Sequence, residues 1–300
     1  MTMTMMIIDL IHAIRFPSWI SEDAISIGSF SVKWYGISYI IGLYGAYFYA
    51  ASLVAKRDIW LAGPSARKPE IVPSKTLLQD LMFYCLIGII VGGRLGYVLL
   101  YATDMFWTAP LDVFKVWTGG MSFHGGFLGV CGAVTYAAWR KKMSLWRIAD
   151  MTAVGAPLGL LSVRFLGNFV NQELYGRVTD VPWGFIFGKA PDSQPRHPSQ
   201  LYEAFLEGIV IFFVIRLLCL NHKALTKPGL ASGVFIMLYG VFRFCVEFVR
   251  EPDAPLFGPL TRGMSYSLPM IIIGTMIVIW ANRRAPVSPK RLDDIAPVKA

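Results

Sequence analysis

Long apolar runs, repeated along the chain and separated by short charged segments, constrain the fold of this sequence more than any other feature. Seven such runs lie at about residues 33–55, 77–101, 121–139, 148–166, 201–219, 230–250 and 264–282. A helix needs about 20 apolar residues to cross the hydrocarbon layer of a bilayer. Only 16% of the residues are charged, against about 25% in soluble domains. The sequence therefore predicts an all-α polytopic membrane protein with about seven transmembrane helices.

Lysine and arginine are distributed unequally between alternate connecting segments. Of the 28 such residues, 17 lie in one set of segments and eight in the other. Because cytoplasmic segments carry the excess of Lys and Arg, the richer set is predicted to face the cytoplasm. This puts the N-terminus outside and the C-terminus in the cytoplasm. The net charge of +9 then reflects this bias and attraction to anionic lipid, and we expect no nucleic-acid partner.

Three regions follow from these runs. Residues 1–32 lack the pattern of a cleavable signal peptide, and their Ile, Phe and Trp content predicts an interfacial segment. Residues 33–282 form the predicted seven-span transmembrane domain. Within it, residues 168–200 are a predicted outward-facing insertion between spans four and five, built of short strands or of an ordered loop. Residues 283–300 form a basic, proline-bearing cytoplasmic tail that we expect to be disordered.

Three arginines fall within or at the end of predicted spans: Arg94, Arg164 and Arg243. An unpaired arginine at the centre of a span costs roughly 2.5–3.5 kcal/mol. Each therefore needs an anionic partner, an interface or a cavity. In YGVFRFCVEF, Tyr239, Arg243 and Glu247 are spaced i, i+4, i+8 along one helical face. The Arg–Glu pair either closes the helix bundle or binds an anion, with the glutamate orienting the arginine.

Two glycine-rich stretches place polar side chains in or beside spans. In VGGRLGYVLLY, the glycines around Arg94 allow neighbouring backbones to approach. Arg94 then either pairs with a helix end or binds a ligand. In GGMSFHGGFLG, His124 lies at the start of span three, where a ligand could approach the backbone closely. Its role is either proton transfer and hydrogen bonding, or packing.

The stretch RFLGNFVNQELYGR follows the apolar run of span four. It concentrates hydrogen-bonding groups, notably Arg164, Asn168, Asn171 and Glu173, beside the outer interface. Such a cluster suits a phosphate or a hydroxyl-rich head group, and an ordinary polar loop is the alternative. The stretch RHPSQLYEA opens span five, where Gln200, Tyr202 and Glu203 either point into the same cavity or only belong to a helix cap.

Five blocks of the sequence together resemble the bacterial prolipoprotein diacylglyceryl transferase family. They are VKWYG, GGMSFHGGFLG, GNFVNQELYGR, RHPSQLYE and YGVFRFCVEFVREPD, which occur in the family's order within residues 28–282. The resemblance implies a seven-span enzyme of the bacterial cytoplasmic (inner) membrane. Such an enzyme transfers the diacylglyceryl group of phosphatidylglycerol to the lipobox cysteine thiol of a prolipoprotein. It forms a thioether and releases glycerol phosphate, the first step of lipoprotein maturation.

The residues and the resemblance together predict two groups of site residues. Catalytic roles are expected for His124, Arg243, Glu247 and Tyr35. Phosphatidylglycerol binding is expected for Arg164, Asn168, Glu173, Tyr239, Arg94 and Asn171. In this interpretation, two arginines hold the leaving phosphate and the histidine takes the thiol proton or positions the base. We expect no metal and no cofactor. The expected partners are phosphatidylglycerol, prolipoprotein signal peptides and membrane lipid.

One position departs from the family's pattern. The signature usually reads Gly-Arg-x-Gly-Asn, whereas here Arg164 lies four residues before Asn168 and follows Val163. One extra residue corresponds to about 100° of helical rotation. We expect a local bulge that returns Arg164 to the cavity, because the residue otherwise has no evident partner.

A non-enzymatic interpretation uses the same arginines in a membrane transporter or flippase for an anionic lipid. Transporters of this kind often have inverted repeats and helices that are broken near the middle of the membrane. The sequence contains no convincing repeat, and its polar cluster lies near the outer face. These features favour the enzyme.

Overall fold

The structure is a computed structural model that describes residues 13–28, 30–62, 67–252 and 259–289. Helices dominate it. The α-helices are α1 (Trp34–Val54), α2 (Lys75–Tyr101), α3 (Met105–Thr108), α4 (Phe123–Lys141), α5 (Leu145–Ser162), α6 (Ser199–Glu203), α7 (Ile211–Asn221), α8 (Leu230–Val246) and α9 (Arg262–Arg283). A π-helical segment, Val163–Phe169, continues α5, and a second, Ala204–Val210, joins α6 to α7. Short 3-10 turns occupy Arg57–Trp60, Pro110–Phe114, Val116–Thr118 and Ala224–Thr226.

Long helical segments occur at each of the seven apolar runs. Among the described residues, four segments are long and apolar enough to cross a membrane: Trp34–Val54, Lys75–Tyr101, Leu145–Phe169 and Arg262–Arg283. Leu230–Val246 is apolar but shorter. The mostly helical architecture and the membrane character predicted from the sequence are thereby confirmed.

Short strands make the expectation of an all-α fold incomplete. Strand β1 (Ile14–Arg15) pairs in parallel with β5 (Phe185–Ile186), and β4 (Arg67–Glu70) pairs in parallel with β6 (Val287–Pro289). Strands β2 (Asp23–Ile27) and β3 (Phe30–Lys33) form an antiparallel hairpin. These strands are too short and too few to appear as a periodic signal in so apolar a sequence.

The strands also refine the predicted regions outside the helices. The β2–β3 hairpin occupies part of the predicted interfacial segment, and residues 1–12 lie outside the described residues. The insertion at 168–200 is an ordered loop that contains β5. Within this loop, Arg196 forms an antiparallel bridge with Phe185 of β5. The expectation of a disordered tail is wrong for residues 287–289, which pair with β4, and residues 290–300 lie outside the described part.

The chain divides into two compact units, each assembled from separate stretches of sequence. The first comprises Met1–Ala46, Ala153–His222 and Leu230–Arg283. The second comprises Tyr47–Thr152, Lys223–Gly229 and Arg284–Ala300. In the first unit α8 packs closely along α9, and a Cβ built at Gly274 would lie 2.4 Å from the backbone nitrogen of Met237.

In the second unit, the close packing of α2 on α4 depends on glycines spaced four residues apart. A Cβ built at Gly88 would lie 2.4 Å from the carbonyl oxygen of Gly129. At Gly92 it would lie 2.3 Å from the carbonyl oxygen of Gly125, and at Gly96 it would lie 2.6 Å from the Cα of Gly125. Small residues at such contacts let two helices approach until their backbones touch. The close packing predicted from VGGRLG is confirmed.

Replacing Gly92 by alanine should separate α2 from α4, because the new methyl group would overlap the Gly125 carbonyl. Overpacking of this kind costs about 1–3 kcal/mol, so the purified protein should unfold at a lower temperature in detergent. Gly132→Ala is the matched control on α4, since a Cβ at Gly132 has no neighbour within 4 Å. Equal unfolding temperatures for the two variants would contradict this account of the packing.

Candidate active site

A fully buried carboxylate, Glu203 at the end of α6, is contacted by three guanidinium groups. Its Oε1 lies 2.7 Å from Nη1 of Arg243 and 3.0 Å from Nη1 of Arg250. Its Oε2 lies 3.1 Å from Nη1 of Arg164. Removing one partner of such a buried ion pair costs about 3–5 kcal/mol, because the remaining charge is left uncompensated. Glu203 therefore joins the helical segment that follows α5 to α8 and to the chain after α8.

The two π-helical segments bring a second ion pair into this cluster. Arg164 lies in Val163–Phe169 and Glu207 lies in Ala204–Val210. Nη2 of Arg164 is 3.3 Å from Oε2 of Glu207, whose side chain is fully buried. A π-helical turn accommodates an extra residue within a helix, and such bulges often occur at functional sites. The local bulge predicted from the one-residue departure in this region is present, and it accompanies a fully paired Arg164.

Glu247 completes the cluster from the chain after α8. One of its carboxylate oxygens contacts Nη2 of Arg243 at the predicted i, i+4 spacing, and it lies 3.9 Å from Nε of Arg250. Its other oxygen accepts a hydrogen bond from the hydroxyl of Thr261. Gly263 leaves room for this arrangement, because a Cβ there would overlap the Glu247 carboxylate.

We refer to Arg164, Arg243, Arg250, Glu203, Glu207 and Glu247 as the arginine–glutamate network. Its three positive and three negative formal charges balance, which is the compensation that buried ions require. Its arginines differ in access. The side chains of Arg164 and Arg243 are 12% and 15% exposed, whereas that of Arg250 is 4% exposed. The side chains of Arg164 and Arg243 are thus partly accessible, while their carboxylate partners are buried.

Polar side chains predicted to bind the lipid surround Arg164. Nη1 of Arg164 donates to Oδ1 of Asn168 at 3.4 Å. The Tyr35 side chain lies beside Asn168, and its ring lies 3.5 Å from where a Cβ of Gly167 would be. The buried Tyr239 hydroxyl is within electrostatic range of Arg164 and of three other members of the network, Arg243, Glu203 and Glu207. The first unit thus brings together residues from α1, α8 and the π-helical continuation of α5.

Glu173 and Asn171 follow the π-helical segment in a tight turn. The backbone N–H of Glu173 donates to the carbonyl of Asn168 at 2.9 Å, and its own carbonyl accepts from Nε2 of the buried Gln200 at 2.6 Å. Burial raises the pKa of the Glu173 carboxyl, which the charge of Lys189 only partly offsets. Asn171 is buried. Glu173 is only partly buried, and it holds its proton more readily than a glutamate in free solution would.

Two predicted site residues, His124 and Arg94, belong to the second unit. His124 is the second residue of α4, as the sequence predicted, and its side chain is exposed. Arg94 is buried in α2, and its guanidinium donates to backbone carbonyl groups. The positive charge of Arg94 is thus stabilised by the dipoles of peptide carbonyl groups, whereas those of Arg164 and Arg243 are stabilised by carboxylates.

Comparison with known proteins gives the family. A family model described as prolipoprotein diacylglyceryl transferase matches residues 22–280. The chain belongs to the prolipoprotein diacylglyceryl transferase family. Curated relatives named phosphatidylglycerol–prolipoprotein diacylglyceryl transferase include one from Vibrio campbellii, 45% identical over 90% of this chain and 94% of the relative. Those from Aeromonas hydrophila and Bradyrhizobium diazoefficiens are 44% and 42% identical, over 90% and 92% of this chain and 93% and 96% of their own length. The chain is therefore a transferase, and the resemblance seen in five sequence blocks is confirmed.

Three members of the network could not be given a definite role in this family member from its sequence alone. The sequence assigns Arg250 and Glu207 no part in the site, and it allows Glu203 either a place in a cavity or a role in a helix cap. A signal was available, because Glu203 and Glu207 are spaced i, i+4 within a predicted span. A carboxylate inside a span is as costly as an arginine. The spacing of Glu203 and Glu207 therefore indicates that they pair with the arginines of other spans.

Glu203→Ala should destabilise the protein by about 3–5 kcal/mol, because it leaves three guanidinium groups without their shared counter-charge. The expected result is a large fall in the unfolding temperature in detergent. Glu251→Ala is the control, since the Glu251 side chain is 50% exposed and its partner Arg196 also pairs with Asp192. An unfolding temperature for Glu203→Ala that matches this control would show that Glu203 does not stabilise the fold.

Glu173→Gln should change the pH dependence of stability. Because the folded-state pKa of Glu173 is raised, the folded state binds this proton more tightly than the unfolded state does. Its contribution is therefore present at low pH and is lost as pH rises through the folded pKa. The unfolding temperature of the variant minus that of the wild type should therefore be larger at pH 7 than at pH 4. If this difference in unfolding temperature did not change with pH, it would contradict the raised pKa.

Proposed function

We propose that the chain transfers the diacylglyceryl group of phosphatidylglycerol to the lipobox cysteine thiol of a prolipoprotein. Membership of the family supports the reaction type, and relatives are named for these two substrates. The observation that carries the proposal is the convergence of Arg164 and Arg243, from different helical segments, on the single carboxylate of Glu203. Guanidinium groups that are held in this way suit a phosphate head group at the membrane.

The proposed reaction is a displacement at carbon. The cysteine sulfur attacks the glyceryl carbon that carries the phosphate ester, and a C–S bond forms as the C–O bond breaks. The electron pair of the broken bond stays on the phosphate oxygen, which leaves as glycerol phosphate. The thiol proton passes to a base, because the thiolate is the nucleophile. The bonds and charges balance without an oxidant or a reductant.

Arg164 and Arg243 form the proposed phosphate clamp. Charge develops on the leaving oxygen inside a low-dielectric site, where fixed cations stabilise the transition state more than they would in water. Each arginine contacts two carboxylates and has a partly exposed side chain. Glu207 and Glu247 orient the two guanidinium groups.

The remaining predicted residues take supporting roles. Tyr35, Asn168 and Tyr239 carry hydrogen-bonding groups beside Arg164 that suit the glycerol head group. His124 is the proposed general base for the thiol or the group that positions the base, since imidazole exchanges a proton near neutral pH. Glu173 and Asn171 hold the turn that follows Asn168.

The proposed topology comprises seven transmembrane helices within residues 33–282 of the bacterial cytoplasmic membrane. It has the N-terminus outside and the C-terminal tail in the cytoplasm. Helices at all seven predicted positions and the Lys/Arg distribution support it. The insertion at residues 168–200 then lies on the periplasmic side, beside the network.

Purified protein incubated with phosphatidylglycerol and a lipobox peptide tests the proposed reaction directly. Mass spectrometry should detect the peptide with one added diacylglyceryl group, together with free glycerol phosphate. A lipid transporter that used the same arginines would leave the peptide mass unchanged, which would overturn the proposal.

Arg243→Ala should lower kcat for transfer by about 10²–10³-fold, because one electrostatic contact to the leaving phosphate is lost. Arg243→Lys keeps the charge but cannot contact Glu203 and Glu247 while presenting a planar fork to phosphate, so it should also be impaired. Arg262→Ala is the control, because Arg262 is exposed in the same unit. Near-normal transfer by a folded Arg243→Ala protein would remove Arg243 from the clamp.

A further inference from the structure

Arg94 is 4% exposed, and all its donors are already used. A guanidinium group has five N–H donors, and each of the three nitrogens of Arg94 has acceptors. Nε donates to the carbonyl of Val113 at 2.9 Å. Nη1 donates to the carbonyls of Gly119 and Gly120 at 2.5 and 3.2 Å, and Nη2 to that of Asp112 at 2.5 Å and to Sδ of Met105 at 3.8 Å. Arg94 therefore has no donor left for a lipid phosphate.

The carbonyls that accept from Nη1 of Arg94 belong to two glycines in the connection that leads to α4. Gly119 and Gly120 have φ angles of +87° and +75°, a conformation that glycine adopts readily and that leaves no side chain to anchor it. Gly120 also packs against the ring of Tyr97, one turn along α2 from Arg94. By contacting carbonyls on both sides of the 3-10 turn Val116–Thr118, Arg94 fixes both ends of this connection.

The connection leads directly into the start of α4. The backbone N–H of Ser122 donates to the carbonyl of Gly93 at 2.9 Å, and the Ser122 hydroxyl accepts from the N–H of Gly125 at 3.4 Å as the cap of α4. His124 lies within this first turn, four residues after Gly120, with its ring edge-on to Phe123 at 5.9 Å. Every step from the guanidinium to the imidazole lies within the second unit.

We propose that Arg94 is a positioning residue for His124. It holds the Gly119–Gly120 backbone through its carbonyls and so sets where α4 begins and where the imidazole stands. This role replaces the phosphatidylglycerol contact that the sequence suggested for Arg94. It rests on the proposed catalytic role of His124. The experiments below distinguish a failure of that catalytic role from a failure of the positioning role of Arg94.

Arg94→Lys should lower kcat for diacylglyceryl transfer on the order of 10–100-fold, because a lysine has three donors and cannot hold both ends of the connection, and small misplacements cost such factors. KM for phosphatidylglycerol should be unchanged. A rise in KM with kcat unchanged would show that Arg94 binds the lipid and would overturn the inference. Arg140→Lys, on an exposed arginine of α4, is the control and should keep wild-type kcat and KM.

A double-mutant cycle with His124→Gln gives the decisive readout. If Arg94 acts through His124, Arg94→Lys should lower kcat little further once the histidine is gone. If Arg94 only stabilises the fold, the two losses should multiply, and the inference fails. A His124→Gln protein with wild-type kcat would refute the catalytic role of His124, and with it the route by which Arg94 is proposed to act.

Gly119→Ala perturbs the same backbone independently. A Cβ at Gly119 meets no atom within 4 Å, so only the left-handed φ is strained. This variant should lower kcat in the wild-type background and have little further effect in the His124→Gln background. A loss of the same size in both backgrounds would contradict the proposed connection.

Discussion

The structure of the first unit depends on the burial of one carboxylate, Glu203, among three guanidinium groups. In an apolar helix bundle neither kind of charge can be left alone, and each ion can be stabilised only by a counter-ion at contact distance. That requirement joins α6, α8 and the continuation of α5 at one point. The same contacts hold Arg164 and Arg243 in place, so in the proposed function the two side chains would reorganise little when the lipid phosphate binds. Such preorganisation is the main source of electrostatic catalysis.

The network also explains why the helices are irregular where they are. Both π-helical segments, Val163–Phe169 and Ala204–Val210, carry a member of the network. The extra residue between Arg164 and Asn168 would rotate a regular helix by about 100°. The wider turn absorbs this rotation, and Arg164 still reaches Glu203, Glu207 and Asn168. A local departure from the family's spacing is thus compatible with an intact set of contacts.

Buried arginines can be satisfied in two ways, and the two ways suit different roles. Arg164 and Arg243 meet carboxylates and stay partly exposed, which suits the proposed phosphate clamp. Arg94 meets peptide carbonyls with its whole fork and is buried. The membrane cost of an arginine, as read from sequence, is the same in all three cases. Only the identity of the acceptors distinguishes the arginines of the proposed clamp from Arg94, which we propose shapes the backbone beside His124.

The sequence by itself determined the membrane character, the positions of the long helices, the family and most of the polar residues that the first unit brings together. These follow from the length and spacing of apolar runs and from motifs whose residues lie close together in the chain. It did not determine the short strands, the contacts that Glu203 makes with three guanidinium groups, or the contacts that Arg250 and Glu207 make within the network. Those depend on which side chains from distant segments come within about 3–4 Å of each other. Local periodicity fixes the face on which a side chain lies, but only tertiary packing decides which acceptor it meets there.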